Sequence, residues 1–167
     1  MIRLAPLALA LGACTPYLWA GYDATSHVSG PLEPTMHASP QEPQSNAYSF
    51  TLGGWFVKRV GVEADPHLID TSGQMNLASA SLELRARWLA RRFVFSDIHA
   101  GPSRGVLVDR MSGYDTASGY RAGATVGTQL GPLTGFVDLY TATLDFDAGP
   151  AAGGNRISGV TLGLGLR

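Results

Sequence analysis

From Tyr17 onward, hydrophobic and polar residues alternate with a period of two over segments of about ten residues, and Gly, Pro, Asp and Ser separate the segments. Eight such segments are read, over 17–29, 47–57, 60–68, 75–89, 92–100, 119–130, 134–146 and 157–166. Alternation of this kind sends successive side chains to opposite faces of a strand, so the pattern predicts an all-β barrel or sandwich.

One stretch is ambiguous. SLELRARWLARRF, residues 81–93, is rich in good helix formers, and Ser81 suits a helix cap. As a strand it places Ser79, Ser81, Glu83, Arg85 and Arg87 on one face and Ala78, Ala80, Leu82, Leu84, Ala86 and Trp88 on the other. The connections decide between the two. They run long (30–46), short (58–59), longer (69–74), tight (90–91), long (101–118), short (131–132) and long (147–156). A strand completes this alternation and a helix breaks it. The predicted fold is an antiparallel, up-and-down, eight-stranded barrel, and the short-turn and long-loop ends match a transmembrane one, with both termini on the short-turn side.

Alternation alone does not say which face is inside. Three features place the apolar face toward lipid. The aromatic residues Tyr17, Trp19, Tyr48, Phe56, Trp88, Phe93, Tyr120 and Phe146 lie near segment ends, as in an interfacial girdle. The polar face carries a charge cluster in mid-segment: Asp23, Glu63, Asp65, Glu83, Arg85, Arg87, Asp97, His99, Arg121 and Asp138. Opposite charges in a narrow lumen pair with one another. The small residues Gly123, Thr125, Gly127, Gly159, Thr161, Gly163 and Gly165 leave room there for Arg85 and Arg87.

Composition narrows the class. The chain has 167 residues, 45% of them hydrophobic and only 15% charged, which fits one domain with few charges for a soluble surface. The net charge of −1, with no basic stripe, excludes the footprint of a nucleic-acid binder. At the N-terminus, Arg3 precedes an apolar run over 4–13 that is too short to span a bilayer as a helix and has the layout of a secretory signal. LGAC, residues 11–14, resembles the lipobox of bacterial lipoproteins. That resemblance implies removal of 1–13, lipidation of Cys14 and a single barrel domain over 14–167, with cleavage after Ala20 as the competing site. As the lone cysteine, Cys14 leaves no internal disulfide.

The pattern over 17–167 resembles the small eight-stranded outer-membrane β-barrel proteins of Gram-negative bacteria, although the chain ends in LGLGLR where such barrels commonly end on an aromatic residue. The resemblance implies a bacterial outer-membrane location, spanning as well as lipid-anchored, with outer-membrane lipid as a partner. It also implies that loops 30–46 and 101–118 face the medium as contact sites for an extracellular or envelope partner.

Candidate chemistry is sparse. SHVSG places His27 and Ser29 two residues apart, the spacing of a base and a nucleophile, and HASP repeats it at His37 and Ser39. Lipid A deacylases of the outer membrane use a His-x-Ser pair on a barrel strand. Here His27 and Ser29 share the lumen face with Asp23 and Thr25, away from a lipid substrate. His67 beside Asp65 and His99 beside Asp97 offer metal-ligand types, but lumen pairing is the expectation, and no metal or cofactor is expected. GPAAGGN, residues 149–155, lacks the Lys of a phosphate-binding loop and reads as an exposed loop. The leading expectation is a non-enzymatic barrel lipoprotein without an open pore, acting through its outer loops. The alternatives are a membrane-embedded enzyme acting on lipid A or phospholipid, and a soluble periplasmic barrel binding a small apolar ligand.

Overall fold

The computed structural model describes residues 15–32, 46–70, 75–109, 113–149 and 151–167. Cys14, His37 and Ser39, and most of loop 30–46, lie outside the described residues. Eight strands are formed: β1 (Thr15–Ser29), β2 (Asn46–Val57), β3 (Val60–Asp70), β4 (Met75–Ala90), β5 (Val94–Asp109), β6 (Gly113–Leu130), β7 (Leu133–Phe146) and β8 (Gly153–Leu166). Each pairs antiparallel with the next, and β8 pairs back onto β1, so the sheet closes into a barrel with no free edge. The start of β1, the end of β8 and the turns at 58–59, 91–93 and 131–132 share one end, called here the turn end. The opposite end is the loop end. At the 131–132 turn Gly131 has φ of 62°, a left-handed value that glycine adopts freely in a two-residue hairpin.

The ambiguous stretch is strand. Ser81, Glu83, Arg85 and Arg87 of β4 are buried in the barrel, while Leu82, Leu84 and Trp88 point outward, Leu84 at 67% exposure. Charge inside and large apolar side chains outside is the reverse of a soluble barrel.

Four expectations are corrected. Residues 101–109 and 113–118 are strand and not loop: β5 and β6 continue through them in register, from Gly101 opposite Arg121 to Asp109 opposite Gly113. Pro102 and the glycines read as loop signals, yet the alternation of Ser103, Gly105 and Leu107 inward with Arg104, Val106 and Val108 outward runs on. At the other loop, β8 already begins at Gly153, and Asn155 is buried. Near the β1–β8 seam the register shifts between Asp23 and Thr25, a β-bulge, so Thr25 and His27 turn outward while Val28 turns in. Finally, Tyr17, Trp19 and Phe146 are not girdle residues but lie inside the barrel.

The interior fills in three layers. Tyr17, Trp19, Trp55, Phe95 and Phe136 pack at the turn end. A belt of charged and hydroxyl side chains crosses the middle. Toward the loop end an aliphatic layer forms, including Val28, Leu32, Ile69, Leu77, Leu107 and Leu144.

Candidate functional site

The middle belt gathers side chains from all eight strands, Ser49 and Thr51 from β2, because residues of one parity on each strand point inward at the same height. All ten residues of the predicted lumen cluster lie in it: Asp23, Glu63, Asp65, Glu83, Arg85, Arg87, Asp97, His99, Arg121 and Asp138. His67, Tyr17, Tyr140, Thr125 and Thr161 join them.

Two guanidinium–carboxylate pairs are bidentate. Arg85 donates through Nε to Glu63 Oε2 at 2.6 Å and through Nη2 to Glu63 Oε1 at 2.8 Å. Arg87 donates through Nε and Nη2 to the two oxygens of Asp97 at 2.7 and 2.9 Å. This fork-to-fork geometry adds direction to charge and is the strongest polar contact available to a carboxylate. The same guanidinium groups lie over aromatic faces of the layer below, Arg85 4.7 Å from the Trp19 ring and Arg87 4.3 Å from that of Trp55.

A second knot surrounds His99. Its Nδ1 meets Glu83 and its Nε2 lies 2.8 Å from Asp138 Oδ1. Arg121 pairs with Asp65, reaches Glu83 Oε1 at 3.1 Å and sits over the Tyr140 ring. Thr125 links the two knots: its hydroxyl accepts from Arg85 Nη1 at 2.8 Å and donates to Asp138 Oδ1 at 2.7 Å. A third group centres on Asp23, which accepts from Thr161 at 2.5 Å and from Tyr140, with His67 Nε2 at 3.1 Å.

The small residues make room, but mostly not for arginine. A Cβ at Gly165 would meet Trp19, and one at Gly163 would meet Phe136. Gly127 similarly faces Phe95, Gly123 faces His99, and Gly159 faces Tyr140. Only Thr125 among them bonds Arg85.

Glu63, Glu83 and His99 each offer a ligand atom within 4.8 Å of the others, which is metal-site spacing. Each is already engaged, however. Glu63 is held by Arg85 and Tyr17, and Glu83 by Arg121, Ser81 and His99. Three guanidinium groups in the same belt also repel a cation. His27 and Ser29 are not brought into a catalytic arrangement. His27 points outward on β1 opposite Ser158, and the Ser29 hydroxyl donates to the Arg156 carbonyl at 3.5 Å.

A closed antiparallel eight-stranded barrel, apolar outside and charged inside, has close counterparts among solved structures. Neisserial surface protein A matches with a TM-score of 0.68 at 10% identity, over 90% of this chain and 96% of that one. The N-terminal barrel domain of Pseudomonas aeruginosa OprF matches at 0.57 and 11%, over 90% and 97%. Ail, the attachment invasion locus protein of Yersinia pestis, matches at 0.52 and 12%, over 90% and 96%. The fold is that of the small outer-membrane barrels. Neither a protein-family model nor a curated protein sequence matches the chain. Within the shared fold, the nearly full coverage on both sides means that the three-layered lumen belongs to a barrel of ordinary length for its kind.

The signal for what the sequence reading misplaced was present. Tyr17 and Trp19 share strand parity with Asp23, and Phe146 shares it with Asp138. Parity, rather than nearness to a segment end, decides the face.

Proposed function

We propose that this chain is an outer-membrane barrel of Gram-negative bacteria without an open pore, serving as a structural or surface-contact protein. The observation that carries this reading is the filled interior. Aromatic, charged and aliphatic layers occupy the lumen in turn, while Leu18, Leu52, Leu84, Leu139 and Leu164 stand on the outside of the same strands. Eight strands leave an interior only wide enough for side chains. A soluble barrel for an apolar ligand needs an apolar cavity, and the centre of this one is charged. Enzyme action on lipid A or phospholipid has no support in the placement of His27 and Ser29.

Lipidation of Cys14 belongs to the same reading. β1 starts at Thr15, at the turn end, so acyl chains on the preceding residue would enter the leaflet that the short turns face. The contact surface is then the loop end. In sequence, its connections and strand ends carry Glu33, Glu42, Asp70, Asp109, Asp115, Asp145 and Asp147 against Arg104, Arg110 and Arg156. One solved structure of Ail is a complex with the heparin analogue sucrose octasulfate. An acidic loop end favours cationic partners over such polyanions.

Fractionation of the expressed chain, with gels run before and after boiling and with planar-bilayer recording, tests the proposal. The expected result is a heat-modifiable band in the outer-membrane fraction and no steady conductance. Porin-sized channels, or a soluble chain without a heat shift, would overturn it.

A further inference from the structure

The exposed charges are sorted by end. At the turn end stand Lys58 and Arg59 between β2 and β3, Arg91 and Arg92 between β4 and β5, and Arg167 after β8, all exposed. Among the described residues no aspartate or glutamate stands there, since the nearest in sequence, Glu63 and Asp97, are buried in the belt and held by Arg85 and Arg87. Among the described residues, Lys58, Arg59, Arg91 and Arg92 form no ion pair.

The four are also concentrated on one side. β3 pairs with β4, so the two turns are neighbours, and the Arg87 amide donates to the Arg59 carbonyl at 2.8 Å, tying one hairpin against the next. Strand spacing puts the turns about 10 Å apart. Outward-facing aromatics border them, Trp88 at 69% exposure and Phe93 at 50%, the latter under the Arg92 guanidinium at 4.9 Å. Aromatic rings at headgroup level, with arginine and lysine just beyond, are how a protein meets the edge of a bilayer.

We propose that this patch binds the phosphate headgroups of anionic phospholipid in the leaflet facing the turns, with Lys58, Arg59, Arg91 and Arg92 as the contacts. The inference rests on the membrane-spanning reading above. Charge complementarity selects the ligand: four unpaired cations on two adjoining hairpins match phosphodiesters that carry net charge and gain little from zwitterionic headgroups. The patch is lopsided, because the third turn, Gly131 and Pro132, has Arg167 alone beside it, donating to the Pro132 carbonyl and the Gln129 side chain, against four cations on the other two turns. Anionic lipid should therefore gather on the β2–β5 side.

The test uses the full chain in nanodiscs of equimolar phosphatidylcholine and phosphatidylglycerol, followed by mild detergent extraction and native mass spectrometry of the retained lipid. Wild type should retain phosphatidylglycerol in excess, rising salt should erode that excess, and K58Q/R59Q/R91Q/R92Q should lower it about tenfold with the heat-modifiable band unchanged. R91K/R92K, which keeps charge, should hold the preference and guards against misfolding of the quadruple variant. Retention at the bulk ratio by an inserted wild type overturns this inference alone. So does an excess that the quadruple variant keeps, or charge-dependent sedimentation with purified peptidoglycan in place of lipid selectivity. A wild type that neither inserts nor shifts on heating overturns the membrane reading and this inference with it.

Discussion

The two halves of strand β7 obey opposite rules. In the middle belt, one step above Phe136, Asp138 points inward while Val137 and Leu139 point outward. Three residues on, Ala142, Leu144 and Phe146 are inside, and Thr143 and Asp145 are outside. The alternation never slips, but the polarity of each face reverses. β8 repeats it, with Thr161 inside and Leu162 outside below, then Ile157 inside and Arg156 outside above. β1 achieves it through the bulge after Asp23, which brings Val28 in and His27 out. β5 departs from the rule, keeping Val106 and Val108 outward. The difference teaches that face polarity reports the surrounding solvent. Above the aromatic layer that closes the turn end, the lower half is built as a barrel in lipid with a polar belt inside, and the upper half as a barrel in water with an apolar core.

The polar core of the lower half should be its most sensitive part. Replacing Arg85 by Leu leaves the Glu63 carboxylate, 1% exposed, with Tyr17 Oη at 2.6 Å as its direct donor. Breaking a buried pair from one side costs about 3–5 kcal/mol, so Arg85→Leu should abolish or sharply reduce the heat-modifiable form. Adding Glu63→Gln removes the stranded charge and should restore much of the loss in urea-unfolding midpoints. A double variant no better than the single would mean that the pair is not the source of the effect.

The reversal itself can be tested on the outer surface. Leu84→Arg puts a cation on the apolar outside of the lower half, where such changes cost about 2–4 kcal/mol near the midplane. Thr116→Arg puts the same group on the outside of the upper half and should stay within about 0.5 kcal/mol of wild type. Folded fractions in lipid vesicles, read by the gel shift, compare them. Equal losses would place Thr116 in lipid and remove the boundary.

Much of the lower half was legible in the sequence because charge and apolar bulk alternate there without interruption, as in Glu83-Leu84-Arg85-Ala86-Arg87. The charged members of the belt could be named residue by residue from parity, whereas Tyr17 and Tyr140 could not. Its partners could not, since which guanidinium meets which carboxylate depends on the stagger of strands far apart in the chain, as with Arg121 and Asp65. The upper half was harder to read. Its inward Ser103, Gly105 and Leu107 and outward Pro102 and Arg104 lack the contrast that marks a strand in lipid, so pairing with β6 had to supply what local pattern did not. The bulge in β1 was equally hidden: one extra residue flips His27 while leaving the composition of the segment unchanged.

The smallest expected effect separates the halves by stability. Asn155, 2% exposed, closes the loop end: its Oδ1 accepts from the Leu32 amide at 2.7 Å, and its Nδ2 donates to the carbonyls of Ala151 and Gly153 at 2.8 and 2.9 Å. Asn155→Ala removes those three hydrogen bonds to backbone groups beside the aliphatic layer, a cost of about 1–3 kcal/mol. The belt and aromatic layer lie below and share none of these bonds, so the loss should stay local. The gel shift and urea midpoint should therefore hold. Hydrogen exchange at the Leu32 amide should quicken, and protease should cut sooner near Pro31 or Ala151. If the midpoint falls as far as in Arg85→Leu, the two halves unfold as one unit, and the contrast between them is one of composition and not of stability.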